Sequence, residues 1–132
     1  MVPGAFVRVL FPTQEKPRRP GLLHIGYVLG GTASEALVAY TTSQPWPTDA
    51  PIPAGVRLFG AEAAAQLNQS RPFLLRLDVL AKLPRTAEWF PDLGRHDQGV
   101  IAIAPPELQS ELIGIAANLV RRRRELVQMR GP

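Results

Sequence analysis

Two oppositely charged residues stand two positions apart in the stretch from Arg71 to Pro84. Read as a β-strand, the stretch has one apolar face (Phe73, Leu75, Leu77, Val79, Ala81), and its other face carries Arg76 and Asp78. An arginine fork can bind the anionic oxygens of a phosphodiester, and a neighbouring carboxylate can move a proton. The same pair is typical of a salt bridge on a sheet surface. The spacing therefore leaves a phosphate site and a structural ion pair both open.

The segments around this stretch predict an antiparallel sheet with helices appended to it. Alternating or β-branched runs predict strands at 4–11, 21–29, 34–42, 56–59, 71–84 and 99–104. A short helix is expected over 61–67, and a long one begins at Pro105-Pro106-Glu107. The segment 86–98 has no regular pattern. We predict the α+β fold class, as a single domain over residues 1–132 that forms a small curled barrel.

The net charge of +4 comes entirely from the C-terminal end of the chain. Residues 121–130 hold five arginines and one glutamate, so residues 1–120 are neutral. The four consecutive arginines, Arg121 to Arg124, sweep around a helix and indicate a solvated helix end rather than a one-sided binding surface. Within the neutral part, residues 8–19 carry a local excess of three positive charges. That cluster is expected to attract phosphate.

The composition argues against a metal site, a cofactor and a membrane span. The chain has no cysteine, and His24 and His96 are far apart without the spacing of metal ligands. No apolar run approaches 18 residues, and the N-terminus lacks the pattern of a secretion signal. We therefore expect a cytoplasmic protein that contacts no membrane.

Two loops carry further polar or aromatic groups next to predicted strands. The third strand ends in Thr41-Thr42-Ser43-Gln44, whose hydroxyls can bind a phosphate or simply form a turn. Trp46 follows between two prolines, where it can stack on a base or pack over the edge of the core. The basic loop 13–20 connects the first two strands, and loops held by a rigid sheet often bind ligands.

Three separated segments together resemble one family. They are Gly4 to Thr13 followed by Arg18-Arg-Pro-Gly-Leu-Leu23, then Leu37-Val-Ala-Tyr-Thr-Thr-Ser43, and finally Phe73-Leu-Leu-Arg-Leu-Asp78. In order and spacing they resemble the PemK/MazF-like toxins of bacterial toxin–antitoxin systems. The resemblance implies a dimeric SH3-like barrel that cuts single-stranded RNA, and a cognate antitoxin protein as its partner.

The resemblance also implies which residues act. Its catalytic positions fall on Arg19, Thr42, Arg76 and Asp78. We further expect contacts to the RNA from Arg18, Ser43, Gln44 and Lys82. RNA carries its own nucleophile, the 2′-hydroxyl, so cleavage needs no metal or cofactor. In this scheme Asp78 removes the proton, Arg19 and Arg76 bind the phosphate, and the products are a 2′,3′-cyclic phosphate and a 5′-hydroxyl.

Two other functions compete with the nuclease. A non-catalytic SH3-like module would use the proline-lined loops to bind protein or nucleic acid. The neutral charge of residues 1–120 favours that alternative. The second of these functions is DNA binding through the arginine-rich helix. That helix has no second helix beside it to form a recognised docking motif.

Overall fold

The computed structural model describes all residues 1–132 and has the predicted α+β class. Its strands are β1 (Ala5–Leu10), β2 (Leu23–Gly31), β3 (Glu35–Thr42), β4 (Val56–Phe59), β5 (Phe73–Pro84), β6 (Val100–Ile103) and β7 (Gln128–Arg130). Its helices are α1 (Ala61–Gln66) and α2 (Pro106–Arg122), followed by a 3₁₀ turn at Arg124–Leu126. The strands form one curled half-barrel sheet in the order β4-β5-β3-β2-β1-β6. All of these pairings are antiparallel, and β7 adds to β5 in parallel.

Both faces of the sheet are buried. Successive side chains of each strand point to opposite sides, so each strand contributes to both clusters. One face holds a cluster built around Val7, Val38 and Trp89, and the segment 86–98 covers it. The other face holds a cluster built around Phe6 and Leu77, and α1 and α2 cover it. The segment without regular pattern thus covers part of the core, with Trp89 and Phe90 almost fully buried. Its Asp92 also accepts a 2.5 Å hydrogen bond from Arg8 Nε.

Strand β5 does not keep one apolar face along its whole length. Its partner β3 pairs Ala39 with Leu80 and then Tyr40 with Arg76, so β5 carries three extra residues at this point. The side chains before the irregularity, such as Leu75, pack on the helix-covered face. Val79 and later odd-numbered residues pack on the other face, and Leu80 is buried rather than exposed as simple alternation predicts. A bulge therefore lets one strand serve both cores.

The C-terminal end differs from the sequence-based expectation of one long helix. The helix ends at Arg122, and Leu126 lies in the 3₁₀ turn that follows it. The chain then returns to the sheet as β7, three residues beside Val79 to Ala81. No pattern in three residues could have predicted this strand. Neither helix has both the length and the apolar character needed to cross a membrane.

The glycine pair at the end of β2 allows a matched test of the fold. Gly31 has φ +134°, and an added Cβ would lie 2.2 Å from the backbone oxygen of Glu35, whereas Gly30 faces open space. We expect Gly31→Ala to lower the free energy of unfolding by about 2–3 kcal/mol. Gly30→Ala should change it by no more than about 0.5 kcal/mol. Urea denaturation measures both, and equal effects would contradict the turn geometry.

Candidate functional site

Arg76 and Asp78 form a two-pronged ion pair at the bulge of β5. Arg76 Nε donates to Asp78 Oδ1 at 2.8 Å, and Arg76 Nη2 donates to Oδ2 at 2.9 Å. The guanidinium also lies over the Trp46 ring, 5.4 Å from its centre. The hydrogen bonds and the charge of Asp78 raise the pKa of Arg76 above its ordinary value, against the opposing effect of burial. The carboxylate therefore fixes the arginine in one orientation while both of its own oxygens are occupied.

Arg76 lines a cleft on one face of the sheet. The segment 86–98 covers another part of the same face. This arginine cleft has a volume of about 450 Å³ and is lined by Phe11, Pro12, Thr13, Gln14, Glu15, Leu22, His24, Tyr40, Arg76, Val79, Gln128 and Arg130. Arg130 enters it from β7, and its Nη1 donates to the Pro12 oxygen at 2.9 Å. The pKa of Arg130 is below its ordinary value, chiefly because the side chain is partly buried. The charges of Tyr40 and Glu15 raise this pKa, and the charge of Arg76 lowers it. Two guanidinium groups thus share one cleft, an arrangement suited to an anion.

His24 stands at the start of β2 in the wall of the arginine cleft. Its ring stacks on Tyr40 with the ring centres 4.8 Å apart. Burial lowers the pKa of His24 below its ordinary value of 6.5, although a backbone hydrogen bond involving Thr41 raises it in part. The imidazole is therefore neutral near pH 7 and able to accept a proton.

Thr42 and Ser43 line a different cavity, on the helix-covered face at the same end of the sheet. This Thr42 cavity has a volume of about 490 Å³ and is lined by Arg8, Leu23, His24, Ile25, Thr41, Thr42, Ser43, Asn68, Gln69, Ser70, Arg71, Phe73 and Ile101. His24 is common to it and to the arginine cleft. The Thr41 hydroxyl donates to the Ile25 oxygen at 2.6 Å, and the Thr42 hydroxyl accepts from the Gln44 backbone N–H at 3.2 Å. Part of the hydroxyl run therefore has the turn role that the sequence left open.

A third cavity, the Trp46 groove, adjoins the Thr42 cavity. It has a volume of about 590 Å³, and its walls are Ser43, Gln44, Pro45, Trp46, Pro47, Thr48, Ala50, Ile52, Leu58, Arg71, Pro72, Phe73 and Leu74. Ser43 and Arg71 belong to both cavities. Trp46 Nε1 donates to the Pro51 oxygen at 3.1 Å, which fixes the ring within its loop. The three cavities thus adjoin one another around the end of the sheet.

The remaining residues selected from the sequence lie outside these three cavities. Arg18 and Arg19 are exposed in the loop between β1 and β2, where the Arg19 backbone N–H donates to the Lys16 oxygen at 3.3 Å. Lys82 is exposed near the far end of β5, paired with Leu37. The structure therefore joins Arg76 to Asp78, places Thr42 with Ser43 in a neighbouring cavity, and leaves Arg19 apart from both.

Three residues of the arginine cleft have no role predicted by the sequence: His24, Tyr40 and Arg130. For His24 the sequence raises only the role of a metal ligand, which its spacing does not suit. Tyr40 stands within a predicted strand, and only the bulge brings it beside Arg76. Arg130 follows the charged helix end in the sequence, and only the return of the chain as β7 brings it to the cleft.

Two comparisons of the chain with known proteins found no match. No protein-family profile matches the chain. No curated protein matches its sequence at a significant level.

The ion pair predicts a stability difference between a buried and an exposed carboxylate. The side chains of Arg76 and Asp78 are 23% and 11% exposed. Asp78→Ala leaves the guanidinium without its partner, so we expect the free energy of unfolding to fall by about 2–3 kcal/mol. In the pair Arg123–Glu125 both side chains are mostly exposed, and Glu125→Ala should cause no measurable change. Chemical denaturation measures the free energy of unfolding of both variants. An unchanged value for Asp78→Ala would contradict the structural role of the ion pair.

His24 predicts how stability depends on pH. Because its pKa is lower in the folded protein, the unfolded chain binds the proton more readily as the pH falls below about 6.5. Stability therefore decreases with falling pH in this range, and His24→Gln should reduce that slope. His96 is exposed, and His96→Gln is the matched control for the substitution itself. Urea denaturation at several pH values from 7.5 to 5 measures the slope of the unfolding free energy against pH. Equal slopes in the wild type and in His24→Gln would contradict the effect of burial on the histidine.

Proposed function

We propose that the protein is a metal-independent endoribonuclease that cuts single-stranded RNA, as the resemblance to PemK/MazF-like toxins implies. The observation that carries the proposal is the arginine cleft, which Arg76, Arg130 and His24 all line. Two guanidinium groups suit the phosphodiester and the negative charge that develops on it during cleavage. The proposal includes an SH3-like barrel fold, a homodimer and a cognate antitoxin, which rest on the resemblance alone.

In the proposed reaction His24 is the general base. Its neutral imidazole takes the proton from the 2′-hydroxyl, whose oxygen then attacks the adjacent phosphorus. Arg76 and Arg130 stabilise the charged phosphate, and the bond to the 5′ oxygen breaks as that oxygen takes a proton from water. The hydroxide that remains takes the proton held by the His24 imidazolium, which returns the histidine to its neutral form. The products are a 2′,3′-cyclic phosphate and a 5′-hydroxyl. Asp78 holds Arg76 in place, because both carboxylate oxygens accept hydrogen bonds from it.

Arg19, Thr42 and Ser43 have a supporting role in this scheme. Thr42 and Ser43 line the cavity that shares His24 with the arginine cleft, so RNA leaving the cleft would pass beside them. Arg18 and Arg19 lie on the exposed loop that follows β1, in a region of locally positive charge. We propose that they contact the phosphates that flank the cut.

Cleavage of a labelled single-stranded RNA in EDTA tests the proposal. The wild type should release 5′-hydroxyl ends, and RNA with 2′-deoxy sugars should stay intact. Arg76→Ala and Arg130→Ala should each reduce the rate about 100-fold or more, because each removes a group that stabilises the transition state. Arg95→Ala, at an exposed arginine of the segment 86–98, is the matched control and should keep full activity.

Thermal unfolding of each variant separates loss of the site from loss of the fold. Folded Arg76→Ala and Arg130→Ala proteins that retain full activity would refute the assignment of the cleft. Cleavage that produces 5′-phosphate ends, or that stops in EDTA, would refute the mechanism.

A non-catalytic interaction module is the second candidate. The observation that favours it is the apolar Trp46 groove, lined by prolines, Ile52 and Leu58 with no acidic residue. Grooves of this composition suit proline-rich peptides. Absence of RNA cleavage together with binding of a proline-rich peptide that Trp46→Ala abolishes would favour this candidate.

A further inference from the structure

Tyr40 lines the arginine cleft from a central strand of the sheet. In β3 it lies between Gly26 of β2 and Arg76 of β5. Its ring packs against one of the two buried clusters, with its centre 5.2 Å from that of Phe11 and 4.8 Å from that of His24. The residue is partly buried. The core and the histidine therefore fix the phenol ring at the wall of the cleft.

The Tyr40 oxygen acts on both arginines of the cleft. The negative charge that it carries when ionised raises the pKa of Arg76 and that of Arg130. Tyr40 is the only acidic group that affects both of them. The hydrogen bonds that the two guanidinium groups donate go to other parts of the protein, and none of them uses the hydroxyl. The oxygen thus lies near two cations, and its hydroxyl is available to a ligand.

The proton that the leaving 5′ oxygen needs is not supplied by the arginines or by His24 acting as a base. An arginine keeps its proton in a protein, and the carboxylate of Glu15 has none to give at neutral pH. The Thr13 hydroxyl is an alcohol, which is a much weaker acid than a phenol. Tyr40 therefore carries the side-chain group of the cleft best suited to donate a proton, and tyrosine is one of the residues that act as general acids.

We propose that Tyr40 is the general acid of the cleft and gives its hydroxyl proton to the leaving 5′ oxygen, in place of water. This rests on the proposed function, to which it adds a catalytic residue. The O–H bond of Tyr40 breaks together with the bond from phosphorus to the 5′ oxygen, and the charges of Arg76 and Arg130 stabilise the tyrosinate that remains. The proton that His24 took from the 2′-hydroxyl then passes through water to the tyrosinate, which restores both residues.

Replacement of the leaving oxygen by sulfur tests this role. Two single-stranded RNAs of one sequence are cut in EDTA, one of them with a 5′-bridging sulfur at the linkage that the wild type cuts. A thiol is a much stronger acid than an alcohol, so the sulfur leaves as a thiolate and needs no general acid. Tyr40→Phe should cut the ordinary RNA about 100-fold more slowly than the wild type does, and the sulfur RNA within about threefold of the wild-type rate.

Two further substitutions provide the comparison. Arg130→Ala removes a cation that stabilises the phosphate, so it should slow the cleavage of both RNAs. Tyr27→Phe is the matched control, because Tyr27 is the other tyrosine of the chain and is buried in the cluster around Phe6 and Leu77. It should leave both rates unchanged. Thermal unfolding checks that every variant is folded.

The outcomes separate the role of Tyr40 from the nuclease itself. Equal losses on the two RNAs in Tyr40→Phe would overturn the general acid, because they would indicate damage to the site rather than loss of a proton donor. An unchanged rate on the ordinary RNA would overturn it as well. In both cases the nuclease stands, since the wild type cuts the RNA. A wild type that cuts neither RNA would overturn the nuclease and the role of Tyr40 together.

Discussion

The bulge in β5 is the constraint on which the site depends. A strand of twelve residues crosses both cores, so its buried residues must change face part of the way along. The change requires extra residues opposite β3, and Asp78 is one of them. Gly55 contacts the bulge from the loop before β4, where its oxygen accepts a hydrogen bond from the Leu77 N–H at 2.7 Å. A side chain would not fit there, because an added Cβ would lie 2.6 Å from Leu119 Cδ2. Arg76 and Asp78 are thereby held together at the edge of the core.

The same bulge explains why the arginine cleft has charged walls beside a buried sheet. Arg76 lies opposite Tyr40 only because of the shifted register, and Tyr40 in turn stacks on His24. The strand β7 pairs with β5 directly after the bulge and brings Arg130 to the same cleft. Its hydrogen bond to the Pro12 oxygen ties the C-terminal end of the chain to the loop between β1 and β2. Three distant parts of the sequence therefore depend on one local irregularity.

Much of the architecture could be predicted from local patterns. The six longer strands, the short helix and the start of α2 at Pro106 follow from alternation, turn residues and the proline signal, with boundaries shifted by a few residues. The adjacency of Arg76 and Asp78 also follows from their spacing on one side of a strand. The segment 86–98 could not be assigned, since its role is to bury Trp89 and Phe90 against residues far away in the sequence.

The sequence by itself determined the fold class, most of the strands and the closeness of one arginine to one carboxylate, because each depends on residues close together in the chain. Only the tertiary structure decided which polar groups share a cavity. The grouping of His24 with Arg76 and Arg130, and the position of Thr42 in a neighbouring cavity, depend on strand order, register and face. These are set by long-range packing of two cores, which no local pattern of residues encodes.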